Sequence, residues 1–144
     1  MEEKDLDAVL EIENLSFPNP WSRMTFLGEI VNPPITIPSV IVRTPEDRVV
    51  GYILLWHIRE EVQISNFAVH PDFRKKGLGE AVLLYVLDKI KRHGATRIFL
   101  EVRPSNRAAR SLYEKLGFRY LGSRKKYYRS PDEDALIMSL ELDP

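Results

Sequence analysis

The residue order predicts an α/β (α+β) fold, with a mixed, mostly antiparallel central sheet flanked by helices. β-Branched and aromatic runs crowd residues 39–69, segments with helical apolar spacing stand on either side of them, and two further strand-like runs close the chain. No repeat, low-complexity tract or linker interrupts the order, so residues 1–144 read as a single domain.

Leu6, Val9, Leu10, Ile12 and Leu15 recur at roughly helical spacing and stop at Phe17-Pro18-Asn19-Pro20, which predicts one amphipathic helix. Ser22 is placed to cap a second, through Met24, Phe26, Leu27 and Ile30, that ends ahead of Pro33-Pro34; a proline-rich loop follows. From Ser39, the runs SVIVRT, VVGYILLWHI and VQISNFAV read as a three-stranded antiparallel meander, turning at Pro45–Arg48 and at Glu60-Glu61. His70-Pro71-Asp72 ends the third strand. A basic, glycine-bearing stretch then opens a helix with apolar Ala81, Val82, Leu84, Tyr85, Leu87 and Ile90, closed by His93-Gly94. The strand RIFLEVR, a Ser105-Asn106 cap, the helix AARSLYEKL stopped by Gly117, and the runs FRYLGSRKKYY and DALIMSLEL complete the chain.

Composition narrows the chemistry. Cysteine is absent, which removes disulfides, thiolate zinc sites and a cysteine nucleophile. His57, His70 and His93 are scattered, so neither a metal centre nor a Ser-His-Asp triad is indicated. Net charge is zero, which argues against direct nucleic-acid binding. The acidic start has no signal-peptide pattern and no apolar run nears the roughly 20 residues of a membrane span, so a cytoplasmic protein with no membrane partner is expected. Charge is nonetheless uneven: Glu2, Glu3, Asp5, Asp7, Glu11 and Glu13 face only Lys4, while basic clusters recur at Arg74–Lys76, Lys89–His93 and Arg124–Arg129. Most of these read as solvated helix faces. Only the first basic cluster sits beside glycines in a way that suggests a ligand.

That stretch, Arg74-Lys75-Lys76-Gly77-Leu78-Gly79, has what main-chain binding of a diphosphate needs. Phe67-Ala68-Val69 delivers a strand, Gly77 and Gly79 remove β-carbons at closest approach, and a helix N-terminus with unpaired N–H groups follows. A bare turn with solvated lysines is the plainer alternative for a lone G-x-G. A Walker loop is excluded because no Gly-Lys-Ser/Thr occurs, and a dinucleotide fingerprint fits poorly because Val82 holds its last glycine position.

The run NFAVHPDFRKKGLGEAVL resembles the acetyl-coenzyme A motif of the GCN5-related N-acetyltransferase (GNAT) superfamily, R/Q-x-x-G-x-G/A, met by Arg74, Gly77 and Gly79. The segments FPNPWSRMTF, LEVRPSNRAARSLYEKLGF and RKKYYRSPDEDALIMSLEL extend the similarity to the ribosomal-protein-alanine N-acetyltransferases over nearly the whole chain. The resemblance implies the GNAT fold, acetyl-coenzyme A (acetyl-CoA) as co-substrate with no metal, and direct transfer to a protein N-terminal amine, that of the alanine of ribosomal protein S18. It implies that Phe67, Ala68 and Val69 pair with the pantetheine arm and that residues 74–79 (Arg74, Lys75, Lys76, Gly77, Leu78, Gly79) take the pyrophosphate. Within the same fold, lysine side chains, polyamines or another small amine are alternative acceptors, and a non-catalytic acyl-CoA-binding module is the alternative outside enzymology.

Acetyl transfer needs a base for the amine and a proton donor for the leaving thiolate. Alternation along RIFLEVR puts Ile98, Leu100 and Val102 on one face and Phe99, Glu101 and Arg103 on the other, where Glu101 is either solvated, paired with Arg103, or, as the resemblance implies, the general base. Tyr113 reads as an amphipathic core residue with a wet hydroxyl; the resemblance makes it the acid that protonates sulfur. Asn106 is a helix cap and, by resemblance, a coenzyme ligand. Phe17, Trp21, Tyr127 and Tyr128 read either as ordinary packing or, by resemblance, as the frame of the peptide groove.

Overall fold

A computed structural model describes residues 1–31, 35–128 and 133–142, with backbone alone for 126–128. Among the described residues, helices α1 (Leu6–Ser16) and α2 (Arg23–Ile30) precede strands β1 (Thr36–Arg43), β2 (Arg48–Ile58) and β3 (Glu61–Val69). Helix α3 (Leu78–Arg92), strand β4 (Arg97–Val102), helix α4 (Arg107–Lys115) and strands β5 (Arg119–Tyr128) and β6 (Glu133–Glu141) follow. The six strands form one sheet in the order β1-β2-β3-β4-β6-β5, in which only β3 and β4 run parallel. The expected mixed, mostly antiparallel sheet is therefore what the chain forms. No helix among the described residues is long and apolar enough to cross a membrane.

β2 shows why its sequence is a continuous apolar run. It lies inside the sheet and is covered on both faces: Ile53 and Leu55 pack under α3 with Val62, Leu83, Val86, Ile98 and Leu100, while Tyr52 and Leu54 meet Leu6, Val9, Ile12 and Phe26 of α1 and α2. Phe26 is fully buried and sits edge-on to Tyr52 at 5.7 Å between ring centroids. Phe26→Ala should cost about 3–5 kcal/mol of stability, read from the midpoint shift in urea unfolding.

Ser22 caps α2 as its position suggests, its hydroxyl accepting from Thr25 N–H at 3.2 Å. Two expectations need correction. The first strand begins at Thr36, before Ser39, and so takes in Pro38. β1 is an edge strand, where a proline without an N–H can sit without breaking a ladder. In α1, Leu15 is 54% exposed, while Glu13 occupies the buried stripe with Leu6 and Val9 at 1% exposure. Position 13 lies four residues after Val9 and seven after Leu6, so geometry assigns it to the core whatever its chemistry.

Candidate active site

The site is built where the sheet opens. The parallel ladder joins Glu61–Ile64 to Arg97–Leu100 and ends there, although both strands continue. Glu101 is the first β4 residue past that point, and Ser65 the first on β3. Ser65 is also an extra residue in the β2–β3 register, which passes from Leu55↔Ile64 to Leu54↔Asn66. A bulge of this kind reverses the parity of the strand. Val62 and Ile64 point to the α3 side, whereas past the bulge Ala68 packs with the α1 cluster and Asn66 bonds to α1.

Beyond the bulge, β3 pairs only with β2. His70 N–H donates to Val50 O at 2.8 Å, so by alternation Phe67 and Val69 turn their peptide groups toward the gap. Val69 O is reached there by Arg74 Nε at 2.7 Å, leaving the Phe67 amide and carbonyl and the Val69 N–H as an edge for an extended ligand. Ala68 directs its peptide toward β2 and its side chain into the α1 core, so among Phe67, Ala68 and Val69 it is not placed to pair in the gap.

After a 3-10 turn at Pro71–Phe73, Lys75 takes φ +62° and Gly77 φ +79°. Gly77 is the N-cap of α3, and no side chain caps the first turn. Left-handed residues before an uncapped helix start turn successive N–H groups outward into an anion cradle, so the chain fits a diphosphate here. A β-carbon on Gly77 would meet nothing within 4 Å, so its need for glycine is conformational, whereas one on Gly79 would press on Leu112 at 3.4 Å. Arg74, Lys75 and Lys76 are all exposed. The Arg74 guanidinium folds back over α1, donating from Nη2 to Ser16 Oγ at 2.8 Å and so clipping the loop to that helix.

Glu101 is not paired with Arg103. Two residues along a strand are roughly 7 Å apart, and each side chain finds a nearer partner across the sheet. Arg124 Nη1 donates to Glu101 Oε1 at 2.8 Å, reaching past β6, and Arg103 donates to Glu133 at 3.0 Å. Glu133 also accepts from the Ser105 hydroxyl and amide, and these bonds, with the Arg103 charge, hold its carboxyl below the usual range. Tyr113 is 6% exposed in the core on the α3 side, its ring 5.5 Å from Phe118. Because Ile98, Leu100 and Val102 also face that core, Glu101 and Tyr113 lie on opposite faces of the sheet. Asn106 caps α4, Oδ1 accepting from Ala109 N–H at 3.3 Å; this leaves its amide N–H₂ outside the cap bond.

Phe17 and Trp21 line a cavity of about 100 Å³ with Glu13, Ser65, Asn66 and Arg103, beside the start of the gap. The side chains of Tyr127 and Tyr128 lie outside the described residues. A larger apolar groove of about 490 Å³ between α3 and β1–β2, walled by Val40, Ile53, Leu55, Val82 and Tyr85, contains none of the catalytic, coenzyme-binding or peptide-binding candidates read from the sequence. Glu13 reads as solvated in the sequence, among the glutamates of an acidic N-terminus; its helical phase with Leu6 and Val9 is the signal that it is buried.

A Salmonella typhimurium ribosomal protein bS18-alanine N-acetyltransferase is 36% identical over 140 residues, covering 96% of this chain and 92% of the relative. The crystal structure of the ribosomal-protein-S18-alanine N-acetyltransferase from Escherichia coli superposes with a TM-score of 0.90 at 32% identity, covering 100% of this chain and 92% of that one. Ard1 from Thermoplasma volcanium gives 0.88 at 28% identity, covering 100% and 95%. Residues 6–118 match the sequence profile of the acetyltransferase (GNAT) family, and together with the opened sheet and uncapped helix start this shows that the chain belongs to the GNAT acetyltransferases.

Proposed function

We propose that the protein transfers the acetyl group of acetyl-CoA to the N-terminal amine of a protein, in the cytoplasm, and that its acceptor is the N-terminal alanine of ribosomal protein bS18. The observation that carries the reading is the placement of Glu101 at the point where β3 and β4 separate, on the side of the gap opposite the β3 residues Phe67 and Val69 that have no β4 partner. The relatives' activity supports the acceptor.

Acetyl-CoA supplies an activated acetyl thioester. The amides of residues 75–79 and the first turn of α3 hold its diphosphate, with Lys75 and Lys76 adding charge, Phe67 and Val69 pairing with the arm, and Asn106 donating from its amide. Glu101 takes the proton of the acceptor amine, directly or through a water, as nitrogen bonds to the acetyl carbon. Tyr113 donates its hydroxyl proton to sulfur as the carbon–sulfur bond breaks. No covalent link to the protein is required. Phe17 and Trp21, with Tyr127 and Tyr128, orient the peptide.

Gly77→Val tests the cradle. A β-branched residue at φ +79° is strained by about 1–3 kcal/mol, so the loop relaxes and acetyl-CoA affinity falls about tenfold to a hundredfold by titration calorimetry. The acceptor is tested with labelled acetyl-CoA and peptides carrying the bS18 N-terminus. Label is expected only while the terminal amine is free. Labelling confined to lysine side chains or spermidine overturns the acceptor, and coenzyme binding without transfer to any amine overturns catalysis.

A further inference from the structure

We propose that Glu13 is a positioning residue that holds the acceptor-side segment 17–21 in register with the opened strand β3, an inference that rests on the acetyl-transfer reading above. Its carboxylate is 1% exposed and receives three donors from three separate segments. Oε1 accepts from the Tyr52 hydroxyl on β2 and from Asn66 Nδ2 at 2.8 Å on β3, and Oε2 accepts from the Trp21 amide at 2.8 Å. Burial first, then the Glu13 charge, pushes the Tyr52 hydroxyl far up, so it remains a donor.

Stability alone does not call for this arrangement. A buried carboxylate is costly unless its oxygens are satisfied, and an apolar side chain beside Leu6 and Val9 would fill the stripe without that penalty. What the carboxylate adds is direction. The Ser65 bulge turns Asn66 from the α3 face to the α1 face, bringing its amide to Glu13. One group therefore fastens the strand whose next residues form the coenzyme edge to the backbone of Trp21, and the cavity between them is lined by Glu13, Trp21, Ser65 and Asn66. A displacement near 1 Å between the two reactants can cost up to about a hundredfold in rate.

The test compares full-length wild type with Glu13→Gln and with Glu13→Gln/Asn66→Asp for kcat and KM on the N-terminal peptide and for acetyl-CoA Kd. Glutamine keeps the shape but replaces one acceptor oxygen with an N–H₂, which either meets the fixed Trp21 N–H donor or forces the Asn66 amide out of its present orientation. Its kcat should fall about tenfold to thirtyfold with acetyl-CoA Kd within about threefold, because none of the three Glu13 bonds is made by the phosphate loop or by the Phe67 and Val69 peptides. The double variant reverses the donor and acceptor at the 13–66 contact and should recover most of the loss. A Glu13→Gln kcat within about twofold of wild type, or no recovery in the double variant, overturns the proposal. If Glu13→Gln does not fold, Tyr52→Phe removes one donor only; reduced kcat with unchanged Kd is expected, and unchanged kcat overturns the proposal. Wild type that transfers to no amine sinks the acetyl-transfer reading and this inference with it.

Discussion

Glu101→Gln should lower kcat about a hundredfold to ten-thousandfold at neutral pH, the range for losing a positioned general base, with acetyl-CoA affinity retained. The glutamine occupies the same volume beyond the last β3–β4 pair and keeps an oxygen for Arg124 Nη1. What it cannot do is accept a proton. Binding, the peptide edge and the cradle are untouched, so the loss belongs to the chemical step and appears equally in kcat and kcat/KM. Steady-state kinetics with calorimetric Kd reads this directly. An unchanged kcat removes Glu101 from the base role and leaves its ion pair with Arg124 as the reason for its place.

Tyr113→Phe should reduce kcat about a hundredfold to a thousandfold. Phenylalanine keeps the ring against Phe118, so the core on the α3 side stays filled and the thermal midpoint should move little. A rate loss with intact stability isolates the hydroxyl. The discriminating measurement is the same peptide assay with thioesters of differing leaving-group pKa: the defect should shrink as the thiolate leaves more easily. A constant defect across the series contradicts proton donation to sulfur.

The legible parts of this protein are those whose chemistry is local. Arg74, Gly77 and Gly79 state a turn and a helix start within six residues, and both the left-handed Gly77 and the uncapped first turn follow from that composition. Ser22 and Asn106 are caps because a short polar side chain ahead of an apolar periodic run has little else to do. The alternation in RIFLEVR puts Glu101 on the face away from the α3 core before any strand partner is known.

The illegible parts depend on what lies across the sheet. Arg124 and Glu101 are 23 residues apart in sequence, and nothing local says that β5 lies two strands from β4, across β6. The separation of β3 from β4 leaves no trace in composition, since VQISNFAV reads as an unbroken strand; the extra Ser65 is visible only in the register with β2. Asn66 would look like a polar intruder on the apolar face of Val62 and Ile64. It is a bulge and a carboxylate on another helix that make its place sensible. Arg74 carries the charge that suggests a phosphate ligand, yet its length lets it reach Val69 O and Ser16, and only the fold reveals that use.

The most direct test is the structure of the protein crystallised with acetyl-CoA. The pyrophosphate oxygens should lie within hydrogen-bonding distance of main-chain amides between Lys75 and the first turn of α3, with the pantetheine arm along Phe67 and Val69 and the thioester beside Glu101. Coenzyme seated elsewhere, as in the apolar groove between α3 and β1–β2, with the 74–79 turn empty, would contradict the account.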